Sequence, residues 1–227
     1  MGPLSDDFNY ALPFVTPTGR LLLDWSAPLH SWRAQESRGI TARDVSTIMC
    51  SPNYEASVDV YALKCADSVQ NTDALPHDWL PARGGELCWQ WARERKVSMH
   101  GLGLLSHRER PWMLASIDQL VGDCGLGGQC AVEFKTRQAA GLQHQCEGIP
   151  YAVLVQSMWQ LAVSGLHHLH LAVLGEGESS ENHTVFPDAP VIEHLIAVAG
   201  PLWQCVVERT PPVTVEGQAA GEDFCRL

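Results

Sequence analysis

The chain has 227 residues, 45% of them hydrophobic and 18% charged, with 15 Lys and Arg against 26 Asp and Glu for a formal net charge of −11. Single cores commonly extend to about 250 residues before they split, so one domain over 1–227 is expected, and the apolar content excludes a disordered chain. The acidic balance excludes a broadly basic nucleic-acid-binding surface, although a local basic channel is compatible with it. No run of about 18 apolar residues occurs and the first residues, MGPLSDDFNY, lack the basic and apolar regions of a leader, which predicts a cytoplasmic protein. Eight cysteines, at 50, 65, 88, 124, 130, 146, 205 and 225, include no CxxC pair. Reduced, mostly buried thiols are therefore expected rather than a zinc ribbon.

Taken in chain order, an irregular N-terminal arm is expected over about 1–27, with Pro3, Pro13 and Pro17 as breakers. Helical patterning follows over 31–50, where Thr41 caps a helix through Cys50 and Asp44 completes a capping box. A short helix over 58–66 leads into a polar, Pro-containing loop over 67–83. The next helix, GGELCWQWARERK, carries Leu87, Cys88, Trp91 and Arg95 on one stripe. The period then shifts to strands over 101–106, 111–118 and 129–135, forming a meander. A helix over 149–164 has Pro150 in its first turn and Gly165 just past its end. A strand over 166–174, a polar turn over 175–182, a terminal helix over 189–208 interrupted near Gly200-Pro201, and a mobile tail over about 210–227 complete the chain. Helices, three strands, helix, strand and helix predict a mixed α/β fold with a central sheet flanked by helices.

The segment Ala115–Lys135, ASIDQLVGDCGLGGQCAVEFK, carries the most chemistry. Side chains at i and i+2 of a strand share a face, so Glu133 and Lys135 point one way while Val132 and Phe134 point into the core; by the same parity Ser116 joins Asp118. Two acids and a lysine would converge. Carboxylate oxygens suit a hard divalent cation, and an amine beside a metal-bound water suits hydrolysis of a phosphate ester. The bland reading of Glu133 and Lys135 alone is an exposed salt bridge of little worth. His168 and His170 also share a strand face, with His167 opposed; with no third ligand near in sequence, ordinary strand histidines are expected. Trp89, Trp91 and Trp159 read as core, whereas Trp25 and Trp32 are freer to make outside contacts.

The ordered set RGITARDVSTIM, GGELCWQWARER, ERPWMLASIDQLV, VEFKT and QSMWQLAVSG resembles the YqaJ-type viral recombinases, the phage lambda exonuclease family of the PD-D/EXK nuclease superfamily. The resemblance spans about 30–175. It implies a restriction-endonuclease-like core and a magnesium-dependent exodeoxyribonuclease, with manganese as a possible substitute. The implied activity digests double-stranded DNA 5′ to 3′ and leaves 3′ single-stranded tails for annealing. A homotrimer, double-stranded DNA ends and a single-strand annealing protein are the partners implied. By position, Asp118, Glu133 and the backbone carbonyl of Phe134 would hold the metal, and Lys135 would orient or deprotonate the attacking water. Ser116, Arg38 and Gln156 match positions that help hold the phosphate or the site water.

The sequence departs from the family pattern at several positions. Cys88 stands where relatives carry a glutamate in the helix before the sheet, and Glu86, two positions away, lies about 200° around a helix from it. Arg43 replaces the serine after ITA, Met158 the second Gln of a QxQ pair, and Ile117 and Gln119 flank Asp118 in place of proline and glycine. A catalytically weakened DNA-end-binding protein of the same fold is the alternative reading. A nuclease carrying an iron-sulfur cluster would need four clustered cysteines, which the scattered spacing does not offer.

Overall fold

Strands Met99–His107 and Leu114–Val121 are mostly buried and pair antiparallel in continuous register, from Met99 opposite Val121 to Ser106 opposite Leu114. The sheet grows outward from them. The computed structural model describes residues 16–51, 55–66, 83–136, 145–146, 149–174 and 180–213. In chain order the elements are β1 (Gly19–Asp24), α1 (Leu29–Glu36), α2 (Ala42–Cys50), α3 (Glu55–Cys65), α4 (Arg83–Arg95), β2 (Met99–His107), β3 (Leu114–Val121), β4 (Cys130–Thr136), β5 (Gln145–Cys146), β6 (Ile149–Pro150), α5 (Tyr151–Ser164), β7 (His168–Leu174), β8 (Ser180–Val185) and α6 (Ala189–Glu208). β5 and β6 pair with each other, and the other strands form one sheet in the order β1-β2-β3-β4-β7-β8. All pairs in it are antiparallel except β4 with β7, whose parallel alignment requires the crossover that α5 provides.

Both faces of the sheet are covered. Ala131 of β4 and Leu169 and Leu171 of β7 face the main core, which is filled from the other side by α2, α5 and α6 through residues such as Val45, Trp159 and Leu195. Cys130, Val132 and Phe134 of β4 and Ala172 of β7 face the opposite side, under Trp91 of α4. The alternation along β4 thus separates two apolar layers, as period-2 geometry demands. This is the mixed sheet flanked by helices that the element order predicts.

α5 is apolar nearly all round, with Val153, Val155, Trp159, Leu161 and Val163 buried, so it lies against the sheet as a core helix rather than on it as an amphipathic one. It ends where Gly165 takes φ 67°, a left-handed conformation that glycine adopts without a Cβ penalty, and the Gly165 N–H donates to the Leu161 carbonyl. α2 begins with the expected capping box: the Asp44 N–H donates to the Thr41 Oγ1 while the Thr41 N–H donates to the Asp44 carboxylate at 2.7 Å. The same carboxylate pairs with Lys64 Nζ of α3 at 2.7 Å, with side-chain exposures of 7% and 5%. Lys64 also donates to the Glu36 carbonyl at 2.8 Å, tying α1, α2 and α3 together.

Several expectations change. The arm expected to be irregular over about 1–27 contains β1 over Gly19–Asp24 and closes the sheet edge against β2; residues 1–15 lie outside the described residues, as do the loop over 67–82 and the tail beyond 213. The strand expected over 111–118 starts at Leu114, because 111–112 form a turn in which the Met113 N–H donates to the Arg110 carbonyl. β8 emerges at the end of the stretch read as a polar turn, its polar residues fitting an edge strand. α6 spans 189–208 as expected but runs through Pro201 without the interruption expected near Gly200-Pro201. By length and composition α6 could cross a membrane, with mean hydropathy 1.4, yet Val191, Leu195, Ala199, Leu202 and Val206 recur every three or four residues on the face packed against the core. Trp32 is buried rather than free, whereas Trp89, expected in the core, is 60% exposed and Trp25 48%.

Removing one partner of a buried ion pair leaves an uncompensated charge, so Lys64→Met is expected to destabilise the chain by about 3 kcal/mol in urea denaturation. An unchanged midpoint would show that the Thr41 cap alone satisfies Asp44.

Candidate active site between the splayed strands β3 and β4

The β3–β4 ladder is short. It pairs Val121 with Cys130, Leu120 with Ala131 and Gln119 with Val132, and stops one residue before Asp118 and Glu133. Beyond that point acidic side chains take over the backbone hydrogen bonds. The Asp118 N–H donates to Glu133 Oε1 at 2.9 Å, and the Phe134 N–H donates to Asp118 Oδ2 at 3.3 Å. Each carboxylate therefore reaches across the gap to the amide of the opposing strand. N–H and C=O of one residue in an extended strand point to the same edge, so the Phe134 carbonyl also faces the gap. Lys135 Nζ lies 3.1 Å from Glu133 Oε2.

The alternation of β3 slips at the same place. Ala115 and Ile117 pack into the main core, and so does Leu120, an odd step that period-2 geometry does not allow in an unbroken strand. Parity alone therefore does not carry Ser116 to the side of Asp118.

The electrostatics follow from crowding two acids into one gap. Glu133 is buried, with 2% exposure. Asp118 is open to solvent on one side but hemmed in by protein elsewhere; burial first, and then the Glu133 charge, push its carboxyl up to about 7, against the pull of Lys135 and the Phe134 amide. Burial draws the Lys135 amine downward, but Glu133 and Asp118 outweigh it and hold the amine above its ordinary value. Arg43, exposed on α2, opposes them as a second cation within electrostatic reach of Lys135. Cys88 of α4 feels Asp118 as well: burial and then the Asp118 charge push its thiol up to about 12. The position that departs from the family pattern thus lies within electrostatic reach of Asp118.

Splaying β4 away leaves carbonyls of β3 without strand partners, and α5 supplies them. Trp159 Nε1 donates to the Leu114 carbonyl at 3.0 Å, and Gln160 Nε2 donates to the Ser116 carbonyl at 2.8 Å. Because α5 is apolar nearly all round, a glutamine on it at position 160 is buried and needs a partner. Gln156, one turn earlier, bridges α5 to α2 through Ser46 Oγ at 3.4 Å. Arg38 is exposed in the turn after α1. The chain just beyond it is stitched to the start of β3, the Ile40 N–H donating to the Trp112 carbonyl at 2.7 Å and the Leu114 N–H to the Ile40 carbonyl at 2.9 Å. Asp118, Glu133, Phe134 and Lys135 are brought together, then, while Ser116, Arg38 and Gln156 stand on the elements that frame them. His107, on β2, accepts from the Glu109 and Arg110 amides through Nδ1 and serves its turn.

Residues 31–167 match the profile of the YqaJ-like viral recombinase domain. The chain belongs to that family. Its segment contains every residue named in the gap and the helices that frame it. Among solved structures, an alkaline exonuclease from Laribacter hongkongensis (LHK-Exo) is similar at 14% identity and a TM-score of 0.57, over 79% of this chain and 93% of that one. The same enzyme in complex with dAMP is similar at 17% identity and a TM-score of 0.58, over 78% and 91%. At these identities the likeness establishes the fold, which is that of the alkaline exonuclease. No curated protein sequence matches the chain.

Because folding raises the Asp118 pKa, this group contributes stability that is fully present below its ordinary value of 3.8 and is lost as pH rises through about 7. In metal-free protein the stability of the wild type relative to Asp118→Asn is therefore expected to fall between about pH 5 and pH 8. The open face of the carboxyl screens the effect to on the order of 1 kcal/mol. Urea denaturation with chelator at both pH values measures it, and an unchanged difference would contradict the crowding of Asp118 by Glu133.

Proposed function

We propose that the chain is a divalent-metal-dependent exodeoxyribonuclease that digests double-stranded DNA 5′ to 3′ and leaves 3′ single-stranded tails. The observation that carries the reading is the gap between β3 and β4, where two carboxylates, one backbone carbonyl edge and one lysine converge within hydrogen-bond range. Membership of the viral recombinase family and the alkaline exonuclease fold support it. Polarity, duplex preference, magnesium over manganese, the homotrimer and an annealing partner rest on the family resemblance.

The donor set fits a hard cation: all oxygen, two of the donors anionic, and crowded enough that Asp118 is held partly protonated in the absence of one. Asp118, Glu133 and the Phe134 carbonyl would hold Mg2+, which when bound supplies charge stabilisation for the phosphoryl oxygens and the leaving oxyanion. The chain's own residues do the rest. Lys135, anchored on Glu133, orients the attacking water. Arg43 and Arg38 offer cations on the α1–α2 side for the phosphates of an end, which lets an acidic protein engage DNA locally. Gln156 frames the same side through Ser46 of α2, while Ser116 lends its carbonyl to the Gln160 anchor of β3. Gln160 and Trp159 touch no substrate in this reading; they position β3.

A second reading, a DNA-end-binding protein weakened in catalysis, is favoured by one observation. Cys88 lies within electrostatic reach of Asp118 with its thiol pushed up to about 12, so it stays neutral and adds no hard anionic donor. One assay separates the two. Linear duplex with 5′ phosphates, labelled at either end, is expected to release mononucleotides from the 5′ end only when magnesium is present. Release from the 3′ end would refute the polarity, and no release with retained end binding would favour the weakened clamp. Lys135→Ala is expected to keep the fold and the end binding but to lose at least about 100-fold in cleavage rate, and full activity in that variant would overturn the role of Lys135.

A further inference from the structure

At the opposite end of β4 from Glu133 and Lys135 a second group of side chains converges. Cys124, in the loop between β3 and β4, Cys130, the first residue of β4, and His168 and His170 of β7 each offer one ligand atom, and all four atoms lie within 4.8 Å of one another. Cys124 Sγ is 3.0 Å from His168 Nε2, which is 3.2 Å from His170 Nε2. Cys130 and His168 are fully buried and His170 is 9% exposed. These distances leave a proton problem. A neutral imidazole nitrogen offers either one N–H or one lone pair, so His168 Nε2 cannot serve both neighbours with a full hydrogen bond, and its Nδ1 already faces His167 Nδ1 at 3.0 Å. One cation among the four resolves it.

The geometry points to a mononuclear, four-coordinate zinc site formed by Cys124, Cys130, His168 and His170, which ties the β3–β4 loop and the start of β4 to β7. Two sulfurs and two nitrogens are the donor set of structural zinc, and with Zn–N near 2.0 to 2.1 Å the nitrogens of a tetrahedron stand about 3.3 Å apart, close to the separation found here. The surroundings are built as such sites are. His170 Nδ1 meets Thr184 Oγ1 of β8 at 3.2 Å, so its outer nitrogen has a partner that fixes the ring, as the outer nitrogens of zinc-bound histidines require. Trp91 lies against His170 with ring centroids 5.3 Å apart, and Phe186 lies 5.5 Å from His168, so the site is roofed by aromatic rings. The loop that brings Cys124 back to Cys130 turns through Gly125, Gly127 and Gly128, all at positive φ, which side chains rarely adopt. Binding by two thiolates and two neutral imidazoles releases two protons and leaves the site neutral. No CxxC announces it, because one pair straddles a loop and a strand and the other sits at i and i+2 of β7.

Such a site has no open coordination position and does no chemistry on DNA. It fixes β4 from one end while the splay opens at the other, three residues on from Cys130, a distance of about 10 Å along a strand.

The test uses the full chain, purified under reducing conditions without chelator and reconstituted with zinc alone or with cobalt(II). One zinc per chain is expected by atomic emission, together with the intense visible bands of tetrahedral cobalt and a thiolate-to-cobalt charge-transfer band. Cys124→Ser, at a partly exposed loop position, is expected to lose that band and most of the zinc. Glu133→Gln is expected to keep both, which separates this site from the carboxylate gap whatever the outcome there. Loss of the bound zinc is expected to lower the thermal midpoint by several degrees. Zinc-free wild type after reconstitution, a weak octahedral cobalt spectrum indifferent to Cys124→Ser, a brown iron-sulfur chromophore, or a Cys124–Cys130 disulfide in the reduced preparation would each overturn the assignment.

Discussion

The exchange of hydrogen bonds between β3 and β4 is the constraint on which the rest depends. Two neighbouring strands in a sheet ordinarily satisfy each other's amides with carbonyls, and here two of those amides are satisfied by carboxylates from the opposing strand. That substitution holds the strands apart at Asp118 and Glu133 while keeping them joined at Val121 and Cys130. It also concentrates negative charge that, among the described residues, Lys135 and Arg43 oppose. Buried backbone groups must be paired, so the opening has a structural consequence on the far side of β3, and α5 meets it with the indole of Trp159 and the amide of Gln160. The helix packed across the sheet is therefore part of the site's construction as well as of the core.

Most of this was legible in the sequence where a physical rule acts locally. The Thr41–Asp44 box, the Gly165 cap and the Glu133–Lys135 spacing are each set by neighbours within a few residues, and each appears as expected. The rules that failed were the ones that needed a partner far along the chain. β1 and β8 are edge strands with one neighbour each, so their patterning is weak, and Gly200-Pro201 reads as an interruption although the apolar stripe of α6 continues through it. Period-2 parity predicted a common face for Ser116 and Asp118, but the main-core positions step from Ile117 to Leu120 exactly where β4 departs, a tertiary event invisible to parity.

Cys124, Cys130, His168 and His170 illustrate the same limit more sharply. Each pair by itself is unremarkable, and only the parallel alignment of Cys130 with His168 across the α5 crossover makes them neighbours. The consequence is that β4 is held at both ends by different chemistries: soft donors around its first residue and hard oxygens around its fourth and fifth. Sulfur and imidazole favour zinc and carboxylates favour magnesium, so under both proposals the two ends would select different ions from the same medium. Cys88 lies between these regimes. It brings a neutral thiol within electrostatic reach of Asp118, so in the proposed reading a cation in the gap would rest on Asp118, Glu133 and the Phe134 carbonyl without a third acid from α4.

In the proposed reading the splay between β3 and β4 is a divalent-cation site. A crystal structure of the protein soaked in manganese, with anomalous data collected at the manganese edge, tests it most directly. An anomalous peak is expected between Asp118 and Glu133, within bonding distance of the Phe134 carbonyl. A gap still closed by the carboxylate–amide hydrogen bonds, with no peak there at saturating manganese, would contradict it.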